Sequence, residues 1–117
     1  PNIGFIVNYA RGTNASTIAE QNNLEMKQTI SGHRLGIPVL IHSEGHHGVT
    51  TVPSTLFPTS FALAGAFDLN LADRVYSAIA DEAKAMNIRH LLSPPVPNLV
   101  RDPRWGRTEE TFGEDVF

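Results

Sequence analysis

Three short apolar runs set the terms on which this chain can fold. They are Ile3-Gly4-Phe5-Ile6-Val7, Ile37-Pro38-Val39-Leu40-Ile41 and Ile88 to Leu92. Each is continuous rather than alternating, which fits a strand covered on both faces, as in a parallel sheet. Their β-branched and aromatic side chains suit a pleated interior surface. Pro38 stands at the start of the second run, where a missing N–H does little harm. Pro94, Pro95 and Pro97 end the third.

Helical stretches separate the runs. After the Arg11-Gly12-Thr13-Asn14 turn, Ala15 to Ile30 forms a helix in which Ile18, Leu24 and Met26 face inward only approximately, with Gly32 as its stop. Thr59 or Ser60 caps a short helix through Gly65. Asp68 caps a longer one, Leu69 to Met86, whose Leu71, Val75, Ala78, Ile79, Ala83 and Met86 keep helical spacing. Asn87 ends it, since asparagine tolerates the left-handed conformation. The order strand, helix, strand, helix, strand, loop predicts an α/β fold with a parallel sheet and right-handed crossovers. In such folds ligands bind at the carboxyl edge of the sheet.

Composition removes several classes of function. With 9 Lys and Arg against 12 Asp and Glu, the net charge is −3, and the clustered cations of a nucleic-acid partner are missing. No run of about 18 apolar residues exists, so no membrane span is expected. The chain has no cysteine, which excludes disulfides and thiolate metal sites. This composition is equally compatible with cytoplasmic, periplasmic and secreted locations. The chain opens at Pro1 without Met and reaches Phe117 as a new helix begins, so it is expected to be part of a longer protein, with room for a signal peptide upstream.

Two segments carry candidate chemistry, and both follow strands. Ile41-His42-Ser43-Glu44-Gly45-His46-His47-Gly48 places a carboxylate beside three histidines. One reading is a metal site built from His42, Glu44 and His47, although the spacing is not that of a helical His-Glu-x-x-His pair. A second is a sugar site, in which ionised Glu44 accepts from two hydroxyls of one ring. A third is a polar turn whose histidines satisfy buried backbone groups. In the other segment, Arg101-Asp-Pro-Arg-Trp-Gly-Arg107, running on through Thr108 to Asp115, arginines alternate with Pro103, Trp105 and Gly106. Tryptophan stacks on the apolar face of a sugar, and arginine donates paired bonds to hydroxyls or carboxylates. Glu109, Glu110, Glu114 and Asp115 can steady those arginines by ion pairing. Adjacent Glu109 and Glu110 are poorly disposed to flank one glycosidic bond, because sequence neighbours point apart. His33, His90, Tyr9 and Tyr76 have no motif around them and are read as packing or surface residues.

Taken together, Leu35 to Gly48 and Arg101 to Asp115 resemble glycoside hydrolase family 3, and Phe57-Pro58, Ala66-Phe67-Asp68 and Ala80 to Met86 fit the stretch between. The resemblance runs from about Ile3 onward. It implies a (β/α)8 TIM-type barrel, of which residues 1–117 would supply about the first three βα units of one incomplete domain. It also implies a retaining, exo-acting β-glucosidase or β-xylosidase that removes terminal non-reducing sugars, with a carboxylate nucleophile and a carboxylic acid flanking one bond. No cofactor is implied.

By the same resemblance Glu44 grips glycone hydroxyls and Arg107 binds substrate. His47 supports Glu44, and Arg104 and Trp105 shape the loop. The nucleophile and acid/base are expected downstream of Phe117. Many family members carry Asp where Glu44 stands, and the longer side chain takes space a hexose C6 group needs, which favours xylose. Val116 replaces a common Pro, Asp115 remains a potential cap, and Asn98 stands where some members have Asp. A complete barrel needs roughly 250 residues. A three-strand piece would expose two edges, so the expected partners are a β-glycoside or oligosaccharide and either the rest of the enzyme or a second copy.

Overall fold

A computed structural model describes residues 5–7, 14–51, 54–93 and 100–114. The readings of Ile3 and Gly4, Tyr9, Arg11 to Thr13, Pro53, Pro94, Pro95, Pro97, Asn98 and Asp115 to Phe117 lie outside these residues. The elements run β1 (Phe5–Val7), α1 (Ala15–Gly32), β2 (Leu40–Glu44), α2 (Ser60–Ala64), α3 (Leu69–Ala85) and β3 (His90–Leu92), followed by a 3-10 turn at Thr108–Glu110. The sheet order is β1-β2-β3 and both pairings are parallel. Ile6 lies opposite Ile41, and Ser43 opposite Leu91.

Local chemistry explains the helix limits. Asn14 accepts from the Thr17 N–H at 2.9 Å and so caps α1. Asp68 does the same for α3 through the Leu71 N–H at 3.0 Å. Asn87 takes φ 57° just past α3, the left-handed conformation expected of it. Its side chain is used as well, donating to Asn23 Oδ1 at 2.8 Å and accepting from Arg89 Nε at 2.7 Å.

The core lies on one side of the sheet. Ile18 of α1, Val75, Ile79 and Ala83 of α3, and Met86 and Ile88 beyond it pack with Val39 and Ile41. On the other side, Leu40 is 41% exposed and Leu92 47%. The inward stripe of α1 differs from the expected one. Leu24 is exposed, and buried Asn22 takes the inner position between Ile18 and Met26. Asn22 Nδ2 donates to the Met86 carbonyl at 2.7 Å, so a polar residue replaces an apolar one where α3 ends.

β2 begins later than the apolar run suggests. Ile37 is exposed, and the strand runs on through His42, Ser43 and Glu44. Register with β1 and β3 decides this, because pairing on both sides recruits the polar residues into the ladder. Glu44 is consequently the last residue of the strand.

Candidate functional site

β2 carries Glu44 to the carboxyl edge of the sheet, opposite Leu92 of β3. The chain then turns sharply through Gly45, His46, His47 and Gly48. A Cβ on Gly45 would stand 3.1 Å from the Leu91 side chain. One on Gly48 would stand 2.3 Å from the Thr55 carbonyl oxygen, at a φ of +131°. The turn therefore depends on glycine twice, once for close strand contact and once for a backbone that doubles back. It is held by the Thr50 N–H donating to the Glu44 carbonyl at 3.2 Å and the Phe57 N–H donating to the His47 carbonyl at 2.7 Å. The Tyr76 hydroxyl lies 3.4 Å from the His46 carbonyl and 3.0 Å from the Ser60 hydroxyl. Burial of Tyr76 raises its pKa, offset in part by the Ser60 bond. The rings of His46 and His47 meet edge-on with centroids 5.3 Å apart. His46 Nε2 is buried without a hydrogen-bond partner among the described residues.

The second segment is a loop closed by its own ends, since the Val100 N–H donates to the Gly113 carbonyl at 3.3 Å. Asp102 organises its first half, accepting from the Arg104 N–H at 3.0 Å, from Nε at 2.9 Å and from Nη2 at 2.6 Å. These bonds lower the Asp102 pKa. In the second half Arg107 donates through Nε and Nη2 to the two oxygens of Glu110, at 2.8 and 2.5 Å. The Thr108 hydroxyl donates to the Trp105 carbonyl at 2.9 Å, and that of fully buried Thr111 donates to the Thr108 carbonyl at 2.9 Å. The 3-10 turn rests on α2, and the Tyr76 ring meets Phe112 edge-on at 6.1 Å.

Electrostatics join the two segments. The hydrogen bond to Glu110 pushes the Arg107 pKa further up, with smaller contributions from the charges of Glu110 and Glu44. Glu110 is held below the usual carboxylate range, first by its bond to Arg107 and more weakly by the charges of Arg107 and His46. Glu44, His46, Arg107 and Glu110 thus occupy one neighbourhood. His47 is half-buried at the turn, and Trp105 is half-buried in the loop. The Arg104 side chain is 88% exposed and engaged with Asp102. No group of three or more His, Asp or Glu is arranged to hold a metal among the described residues.

The sequence offers Glu109, Glu110, Glu114 and Asp115 as partners for the arginines. Arg107 pairs with one of these, Glu110, three residues on, whereas Arg104 pairs with Asp102, two residues before it and outside that set. The (i, i+3) spacing of Arg107 and Glu110 is a legible signal. Nothing local marks Asp102 in this role.

The sequence profile of the Glycosyl hydrolase family 3 N terminal domain matches residues 1–117. The chain belongs to glycosyl hydrolase family 3. Among family relatives, a putative beta-xylosidase of Formosa agariphila is 37% identical over 99 residues, covering 85% of this chain and 13% of that protein. Thermostable beta-glucosidase B of Acetivibrio thermocellus is 34% identical over 109 residues, covering 82% and 14%. A solved structure of a β-glucosidase from Erythrobacter marinus superposes with a TM-score of 0.88 at 33% identity, covering 97% of this chain and 15% of its own. The chain therefore spans about one-seventh of the length of these relatives.

Proposed function

We propose that this chain is the glycone-recognition part of a retaining, exo-acting β-glycosidase acting on terminal β-linked glucose or xylose. One geometric arrangement carries the reading: Glu44 ends β2 at the carboxyl edge of a parallel sheet, beside Leu92 of β3, and Arg107 lies in the segment that follows β3, its pKa raised in small part by the Glu44 charge. An exposed carboxylate accepts from sugar hydroxyls, and an exposed guanidinium donates to them. Arg107 donates to Glu110 through Nε and Nη2, and its side chain is 60% exposed, so the guanidinium can also meet a ligand. His47 steadies the Glu44 turn, while Arg104 and Trp105 shape the loop. The nucleophile and the acid/base belong, on this reading, to the remainder of a longer enzyme.

We further read the domain as part of a (β/α)8 barrel, about its first three βα units. Two features support this. The sheet face bearing Leu40, His42, Glu44 and Leu92 is the one a closed barrel would turn inward. Beside β3, an apolar groove of about 450 Å³ lined by Tyr76, Ile79, Leu91 and Phe112 stands where a fourth unit would pack. The remainder of the enzyme, or a second copy, would cover both.

The test uses the full-length enzyme with aryl β-xyloside and β-glucoside. Arg107→Ala is expected to lower kcat/KM by roughly ten- to a hundredfold, the range for a lost bond to a charged group. Unchanged kcat/KM would remove Arg107 from the site, and binding without turnover by the wild type would replace the glycosidase reading with a carbohydrate-binding one.

A further inference from the structure

Glu82 lies in α3, well outside the two segments that form the candidate site, yet both of its oxygens are spent on one residue behind that site. Oε2 accepts from the Thr55 N–H at 3.0 Å, and Oε1 accepts from the Thr55 hydroxyl at 2.6 Å. The helix thus grips the loop by backbone and side chain at once.

Thr55 is the residue on which the Gly48 turn closes. Its carbonyl oxygen stands 2.3 Å from where a Gly48 Cβ would be, the tightest glycine approach in the described chain. Two residues on, the Phe57 N–H donates to the His47 carbonyl at 2.7 Å. Between the end of β2 and α2, these contacts form a chain running Glu82, Thr55, Phe57 and Gly48, His47. Loops are the more mobile parts of a fold, so a two-point charged anchor at Thr55 has large leverage over where residues 54–57 sit.

We infer that Glu82 is a positioning residue for glycone binding, setting the height of the loop that fixes His47 and, through the Thr50 bond to its carbonyl, Glu44. It touches no sugar. This rests on the glycosidase reading above. Loss of the anchor lets residues 54–57 move away from the turn, so sugar contacts form less often while the bond-cleaving groups elsewhere are untouched.

The experiment compares Glu82→Ala, Glu82→Gln and Thr55→Val in the full-length enzyme with aryl β-xyloside and β-glucoside. Glutamine can accept the Thr55 N–H through its oxygen and donate to the Thr55 hydroxyl through its nitrogen, so it preserves both contacts. Glu82→Ala is expected to raise KM roughly tenfold with kcat changed by less than about twofold, and Glu82→Gln to restore KM. Amide exchange in the peptide covering 47–57 should speed up in Glu82→Ala and recover in Glu82→Gln, with peptides of the α3 core unchanged. Thr55→Val, at an exposed loop position, loses only the hydroxyl bond and should fall between them, which keeps the test open if the alanine variant folds poorly. A merely structural role would lower the folded fraction and leave KM alone. Wild-type KM and wild-type exchange in Glu82→Ala would overturn the inference. A wild-type enzyme inactive on both glycosides would overturn the glycosidase reading and the sugar role of Glu82 with it, while the exchange measurement would still decide the anchor.

Discussion

The Asn22 side chain and the Met86 carbonyl are 64 residues apart in sequence and 2.7 Å apart in space. Asn22 is 3% exposed. Replacing it by Leu leaves a buried carbonyl without this donor at the point where α3 hands over to β3. A loss of roughly 1–3 kcal/mol of stability is expected, the cost of an unsatisfied buried acceptor. Denaturant unfolding of the full-length protein checks it, and a stability within about 0.5 kcal/mol of wild type would mean water replaces the amide.

The Gly48 turn yields a sharper expectation. Gly48→Ala forces a Cβ against the Thr55 carbonyl and demands a φ that side chains rarely adopt. Both penalties act together, so the loop must shift. A destabilisation of roughly 1–3 kcal/mol and a clear rise in KM for aryl β-glycosides are expected. Gly106→Ala serves as the control, since among the described residues nothing beyond its own chain neighbours lies within 4 Å of its would-be Cβ. Equal effects of the two changes would contradict the crowding argument.

Acid should loosen the Arg107 loop. The Arg107 guanidinium holds Glu110 below the ordinary carboxylate range, so folding favours the ionised form. The stabilisation is therefore fully present above the unfolded pKa of about 4.3 and is lost as pH falls through the lowered folded value. Glu110→Gln removes the titrating group. Its melting temperature should lie below that of wild type at pH 7, and the gap should close as the pH falls below about 4. A gap that stays constant down to strong acid would show that the pair contributes nothing through charge.

Much of this fold is legible in the chain because its signals are local. Asp68, Asn87 and the spacing of Val75, Ile79 and Ala83 act within one helix, and α3 forms where they indicate. β2 was less legible. Its limits are set by pairing with two other strands, and no property of His42 or Ser43 alone marks them as strand residues. Asn22 misleads for the same reason, because its partner is supplied by the far end of α3. At the candidate site, residue types are compatible with sugar binding, but pairing choices do not follow from type. Arg104 and Arg107 look alike in sequence, and only geometry commits one to Asp102 and gives the other a neighbour in Glu44.

Glu44 also bears on the choice of sugar. Its carboxylate is one methylene longer than an aspartate at the same place, and it stands exposed at the end of β2. On the proposed reading, in which Glu44 grips glycone hydroxyls, the extra length would carry the acceptor oxygens into space that the C6 hydroxymethyl of a hexose needs, while a pentose has nothing there. The full-length enzyme is accordingly expected to show higher kcat/KM on aryl β-xyloside than on aryl β-glucoside. Glu44→Asp should narrow or reverse that ratio, by roughly tenfold if one small group decides the fit. The comparison of two substrates on one enzyme cancels any loss of folded protein, since both rates fall equally. A strong glucoside preference in the wild type would sink the steric argument, and an unchanged ratio in Glu44→Asp would move the choice of sugar to residues elsewhere in the enzyme.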